Sequence, residues 1–287
     1  MYVHSNMARV LGQKAVDMCS DKLKWSWRAM IPMTENQHVA ACQFEPAVGD
    51  VAGNLDTIEQ TLVSLPSRVA VAVLPELCVT GYDLDVARDQ ATSIPGDLTD
   101  RLVPLAAEHD VTLIAGLPER DGEQLYNSLV VVDGDGVRDT YRKQHPWGDE
   151  ADVFATGDGL TTVETRIGTV GLALCYDLNF PEVGLDYSRE GCDVLAVSAA
   201  WRTSYATDWR LLLRARALDG PYYVVGSNHA GDQRGRDHAG LSLVADPSGT
   251  VLSEVSDGVG QAVVEAEQER VEKGRDRNPV RELRGWS

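Results

Sequence analysis

The chain has 287 residues, 43% of them apolar, which is enough for one large domain with a sizeable core. A formal charge of −18 argues against nucleic acid or an anionic membrane as a partner. No stretch is long and apolar enough to span a bilayer, and residues 1–32 lack the continuous apolar run and small-residue cleavage site of a secretory signal.

Residues 1–32 do not match the rest. They sum to +3, which leaves −21 for the remainder of a chain whose total is −18. The expectation is an extension foreign to the native protein, with Met33 as the true start; a real extension packed on a partner is the alternative. Residues 33–287 then form the domain, with a core over about 38–265 and a polar C-terminal arm, 266–287. Arginine dominates the positive charge, and only Lys143 and Lys273 follow Met33. The acidic, lysine-poor surface resembles adaptation to high intracellular salt, as in halophilic archaea. The alternative is an ordinary acidic cytoplasmic protein. Five cysteines with no Cys-x-x-Cys spacing argue against a disulfide framework and for a reducing cytoplasm, with Cys42, Cys78 and Cys192 as small core residues.

Strands and helices alternate from there. Residues 38–44 read as a strand, and Asn54 as the cap of a helix carrying Leu55, Ile58, Leu62 and Leu65. Residues 69–74 form a buried strand. A helix with Leu102, Leu105 and Ala106 leads to a strand over 111–116. Residues 125–132 and 137–141 form a hairpin around Gly134-Asp135-Gly136. In the second half a strand ends at Cys175, a helix follows near 183–189 and stops at Gly191, and 194–197 is a buried strand. Thr207 or Asp208 caps a helix with Trp209, Leu212 and Leu213, closed by Gly220-Pro221. Strands over 222–225 and 241–245 precede the turn Asp246-Pro247-Ser248-Gly249 and a return over 250–255. From Glu265 the tail is polar and reads as a helix and extended arm outside the core.

Three reactive groups stand at strand edges. Cys175 ends the apolar run 170–174, Glu76 follows 69–75, and Lys143 follows the hairpin. A thiol, an acid and an amine so placed could converge on one rigid site. The plain alternative for Lys143 is a surface lysine. A thiol nucleophile needs a base, and His145 and His229 stand as Cys-His candidates beside the carboxylate reading. No histidine pair has zinc-like spacing, so no metal is expected.

The segments Leu74-Pro75-Glu76-Leu77, Tyr141-Arg142-Lys143 and Leu174-Cys175-Tyr176-Asp177, in this order, resemble the nitrilase superfamily of carbon–nitrogen hydrolases. Gln43-Phe44, Gly49-Asp50, Thr80-Gly81-Tyr82, Phe180-Pro181-Glu182 and Asp246-Pro247-Ser248-Gly249 extend the likeness across about 38–265. The resemblance implies an α/β fold, a four-layer α-β-β-α sandwich that forms a homodimer through helices or a higher homo-oligomer, and a Glu-Lys-Cys triad with no cofactor. Cys175 would attack an amide carbonyl to give a thioester, and Glu76 would move the protons. Lys143 and the Tyr176 backbone N–H would hold the oxyanion. A second glutamate near the lysine would be Glu150, with Asp149 and Asp152 as competing carboxylates.

Tyr176 and Asp177 resemble the amidase-like branches, whereas nitrile-cleaving members more often carry Trp-Glu there. The implied partners are a small linear amide and water. Trp147, Trp201 and Arg202 are candidate pocket residues; Arg202 would bind a substrate carboxylate or pair with a surface acid. A nitrilase, an N-carbamoyl hydrolase and an acyl transferase remain as alternatives with the same triad. A binding module that kept the fold is disfavoured by the three intact positions. A chain beginning at Met33 should match the full chain in activity, thermal midpoint and oligomer size; a clear drop in any of these would make residues 1–32 structural.

Overall fold

The computed structural model describes residues 37–286, and the expected extension, 1–32, lies outside the described residues. The first half contains β1 (His38–Gln43), α1 (Val51–Ser64), β2 (Val69–Val73), α2 (Leu84–Gln90), α3 (Asp97–His109), β3 (Thr112–Asp121), β4 (Gln124–Asp133) and β5 (Gly136–Arg142). The second half continues with β6 (Thr162–Thr165), β7 (Gly168–Leu174), α4 (Pro181–Arg189), β8 (Val194–Ala199), α5 (Ala206–Asp219) and β9 (Tyr223–Asn228). It ends with β10 (Asp232–Gln233), β11 (Arg236–Asp237), β12 (Leu243–Ala245), β13 (Val251–Glu254), β14 (Gly260–Glu265), α6 (Gln268–Arg277) and α7 (Val280–Leu283).

Two six-stranded sheets result, ordered β14-β1-β2-β3-β4-β5 and β13-β12-β9-β8-β7-β6. In each, three adjacent strands run parallel (β1, β2, β3 and β7, β8, β9) and the flanking strands run antiparallel. The parallel strands are apolar on both faces because both faces are covered. In β2, Val71 and Val73 enter the layer between the sheets, while Ala72 packs outward against the α1 and α3 side chains Ile58, Leu62 and Leu102. On the second sheet Leu195 and Val224 meet Tyr187 of α4 and Trp209 and Leu213 of α5. The layers are therefore helix, sheet, sheet, helix, as expected. Two hydroxyls also cross between the sheets: Ser198 donates to the Leu74 carbonyl at 2.6 Å and Ser227 to the Cys42 carbonyl at 2.5 Å.

Several local expectations are corrected. Asp50, not Asn54, caps α1, accepting from the Gly53 N–H at 3.0 Å. Asn54 lies inside the helix and is buried, with its amide bonded to the Ala47 and Val79 carbonyls at 2.8 and 3.0 Å. It ties α1 to the loop that follows Glu76. Neither Thr207 nor Asp208 caps α5, because a 3-10 turn, Thr203–Tyr205, runs straight into a helix starting at Ala206. The strand expected over 241–245 is only Leu243–Ala245, since Leu241 is left-handed (φ 54°). The tail is not outside the core: Ala266 and Val271 join the layer between the sheets. Strand β6 has one apolar residue, Val163, and the apolar run of β14, Ala262-Val263-Val264, is short, so neither stands out in the sequence.

Gly116 fits β3 against the loop that follows β2. A Cβ there would lie 2.4 Å from the Leu77 nitrogen and 2.7 Å from the Glu76 Cα. Both are backbone atoms and cannot swing aside. Gly116→Ala should lower stability by about 1–3 kcal/mol, the usual range for overpacking, read by chemical denaturation; an unchanged midpoint would show that the loop yields freely.

Candidate active site

Glu76, Lys143 and Cys175 each lie just beyond a strand. Glu76 follows β2, Lys143 follows β5, and Cys175 follows β7 and opens a 3-10 turn, Cys175–Asn179. Leu77 and Cys175 both have left-handed backbones, φ 45° and 49°. For side chains other than glycine this region is sparsely used, and such residues cluster where chain direction must change at a functional site.

The structure brings the acid and the amine together. Lys143 Nζ donates to Glu76 Oε1 at 2.7 Å and to Glu150 Oε2 and Oε1 at 2.8 and 3.0 Å. All three residues are buried, whereas Asp149 and Asp152, the competing carboxylates, are exposed. Glu150 also accepts from the Trp147 N–H and the Tyr82 hydroxyl, both at 2.7 Å. The other Glu76 oxygen, Oε2, accepts from the Ala200 N–H at 2.9 Å.

Burial above all, and then Glu150, raise the Glu76 carboxyl above the usual range, with Lys143 opposing. Burial works against charge on Lys143, but Glu76 and Glu150 outweigh it and hold the ammonium charged. Burial, then the charge of Glu76, push the Cys175 thiol well above its ordinary value. Both effects favour the protonated thiol over the thiolate, the form in which a cysteine is nucleophilic.

Cys175 is partly accessible and meets a cavity of about 220 Å³ walled by Trp147, Tyr176, Trp201 and Tyr205. Glu76, Lys143 and Glu150 are not among its lining residues. Arg202 also faces the cavity, its guanidinium 4.8 Å from the Trp147 ring centroid. Among the described residues no carboxylate forms an ion pair with Arg202. Tyr176 lies in the first turn after the strand, where 3-10 and helical N–H groups lack partners within their own turn.

The histidine candidates bond elsewhere. The His145 ring and backbone N–H reach Asp177 Oδ1 at 2.8 and 2.9 Å. The His229 ring bonds the Glu76 carbonyl and Gln233. Asp177 itself is buried under the Tyr141 hydroxyl (2.7 Å) and the Leu174 N–H (3.0 Å), so it braces the turn rather than facing the cavity. No metal-like group of His, Cys, Asp and Glu occurs among the described residues.

Two buried members were missed in the sequence. Asn127 donates to Glu76 Oε1 at 2.7 Å, and Tyr82 reaches Glu150. The one available signal for Asn127 was the polar pair Asn127-Ser128 interrupting the apolar run of β4. Tyr82 closes the Thr80-Gly81-Tyr82 segment, where nothing in the sequence marks its hydroxyl as a partner of Glu150.

A family model described as carbon–nitrogen hydrolase matches residues 38–276. A nitrilase of Pyrococcus abyssi is 33% identical over 84% of this chain and 95% of its own length. The omega-amidase NIT2 of Xenopus tropicalis is 32% identical over 75% of this chain and 82% of its own. A mutant amidase from Nesterenkonia sp. AN1, solved with the product of acrylamide addition on its active-site cysteine, superposes with a TM-score of 0.74 at 25% identity, covering 88% of this chain and 100% of its own.

Removing the ammonium strands two buried carboxylates. Lys143→Met should cost about 3–5 kcal/mol of stability at neutral pH, the usual loss when one partner of a buried ion pair is deleted. The double variant Lys143→Met/Glu150→Gln should recover part of it. Equal stability of the two variants in urea denaturation would show that the carboxylates do not repel.

Proposed function

Because the chain belongs to the carbon–nitrogen hydrolase family, we propose that it is an amidase that cleaves a small linear amide through a thioester on Cys175. Glu76 takes the thiol proton as sulfur attacks the carbonyl carbon. Lys143 and the Tyr176 N–H hold the negative oxygen of the tetrahedral intermediate. The intermediate collapses, the C–N bond breaks, and Glu76 passes its proton to the leaving nitrogen, so ammonia or an amine departs. Water then attacks the thioester, giving its proton to Glu76; the acid is released and the proton returns to sulfur. Glu150 orients Lys143. The observation that carries this reading is a cavity-facing thiol backed by a buried carboxylate and ammonium 2.7 Å apart.

Arg202, which faces the cavity beside the Trp147 ring, supports a second, narrower reading: the amide also carries a carboxylate. A nitrile or an N-carbamoyl compound is the competing substrate, and an amine acceptor would make the enzyme an acyl transferase. Four free thiols among the described residues and the acidic composition support a reducing, salt-rich cytoplasm, the expectation for a halophilic source. Leu211 and Leu218, exposed on α5, support a homodimer built on helices. No described helix is long and apolar enough to cross a membrane.

Ammonia release should be followed on a panel of short amides, with and without a terminal carboxylate, beside matched nitriles and N-carbamoyl compounds. Amides should be turned over, and a slow one should leave an acyl adduct on Cys175 by intact-protein mass spectrometry. Cys175→Ala should stay folded and lose turnover by several orders of magnitude. Lys143→Arg should lose most activity, because a planar fork does not replace a compact ammonium. An adduct on Cys42, Cys78 or Cys192 would overturn the assignment.

A further inference from the structure

Outside the groups assigned above, the described residues contain one buried histidine with both ring nitrogens engaged next to the site. His229 ends up fully buried just after β9, and its ring bonds the backbone carbonyl of Glu76. A carbonyl can only accept, so Nε2 carries the proton. Its other nitrogen, Nδ1, lies 2.6 Å from Gln233 Nε2. The Gln233 orientation is fixed in turn, because Gln233 Oε1 accepts from the Tyr82 N–H at 2.9 Å. Gln233 must therefore donate to Nδ1, and the imidazole is a neutral Nε2–H tautomer. Tyr82 then reaches Glu150 through its hydroxyl at 2.7 Å.

We propose that His229 is the positioning residue of Glu76: its ring fixes the backbone carbonyl of the glutamate, and Gln233 and Tyr82 extend that hold to Glu150. The proposal rests on the reading that Glu76 takes the thiol proton. The geometry explains why a hold on the backbone is needed. Glu76 lies between Pro75 and the left-handed Leu77, beyond the last residue of β2. Its own N–H makes only a long bond, 3.4 Å, to the Ala199 carbonyl. That same carbonyl accepts from the His229 N–H at 3.2 Å. The last residue of β8 thus anchors both residues, and the imidazole closes the ring between them.

The side chain depends on that anchor. The carboxylate must meet Lys143 and Asn127 with one oxygen and the Ala200 N–H with the other. A shift of the backbone at Glu76 would disturb all three at once. Burial, and then the neighbouring His238, hold the His229 pKa down at about 3, so the ring stays neutral at any pH where a thiol could be activated. With both nitrogens occupied, the ring has no site left from which to serve as the base for Cys175. A short hairpin, β10–β11, carries Gln233 and is pinned over the site by Arg236 on the Tyr82 carbonyl, 3.0 Å, and by Arg234 on Asp83, 2.7 Å.

The test compares His229→Leu, which fills space without bonding, with His229→Gln, which keeps a donor, in the full-length protein. Two readouts are taken: kcat and KM on a short amide, and the pH dependence of Cys175 alkylation by chloroacetamide, which requires no turnover. His229→Leu should lose about 100-fold in kcat, the scale of a small misplacement, with little change in KM. Its alkylation profile should shift along the pH axis, and His229→Gln should restore most of both. Gln233→Met, farther from Glu76, should show a smaller loss of the same kind, and it carries the test if His229→Leu does not fold. Wild-type kcat and alkylation profile in both His229→Leu and Gln233→Met would overturn the proposal. So would a folded His229→Gln no better than His229→Leu. If the wild-type protein neither turns over amides nor alkylates at Cys175, the underlying assignment of Glu76 and Cys175 is what fails.

Discussion

The ammonium of Lys143, enclosed between the carboxylates of Glu76 and Glu150, is the interaction on which the rest of the site depends. Taking any one of these charges out of water costs several kcal/mol, and the cost is offset only when partners and donors surround it. Here the surroundings are complete on the acidic side. Asn127, Tyr82 and the N–H groups of Trp147 and Ala200 all donate to the two carboxylates. Fully ionised, the trio still carries one excess negative charge. That excess, together with burial, lifts the affinity of Glu76 for a proton, which suits the proton-carrying role proposed for it.

The groups come from different sheets. Glu76 and Lys143 leave the first sheet, and Cys175 leaves the second. Their meeting therefore requires the two sheets to be seated in one register, and Ser198 and Ser227 set that register with hydroxyls donated across the interface. Left-handed backbones at Leu77 and Cys175 turn the chain beyond β2 and beyond β7. Such conformations persist only where the surrounding structure over-determines them, and the dense bonding about both turns does so here.

Much of this was legible in the sequence, for a physical reason. Parallel strands buried on both faces are continuous apolar runs, so β2, β7 and β8 announce themselves, and a charged residue or thiol directly after such a run is conspicuous. The lysine-poor composition singled out Lys143 in the same way. What escaped were features defined by partners distant in sequence. Asn54 has the chemistry of a cap but is used to bind the loop near Val79. Asn127 is polar in an apolar strand, and only the folded chain supplies Glu76 as its reason. In β14 the apolar run is only Ala262-Val263-Val264, and of its residues Ala262 alone is fully buried. The polar helix α6 hides its single buried contact, Val271, among charges.

The pairing of β14 with β1 has a consequence for how the protein is made. β1 lies between β2 and β14, and its register with β14 runs the full strand, from His38 opposite Glu265 to Gln43 opposite Gly260. During synthesis the first strand of the domain emerges more than two hundred residues before the strand that covers its outer edge. Until then an apolar strand with unsatisfied N–H and C=O groups faces outward, a template for pairing with another nascent chain. The first sheet cannot close vectorially, whatever the order in which its neighbours form. The outer edge of the first sheet therefore stays open until residues 260–265 have been made and have paired with β1.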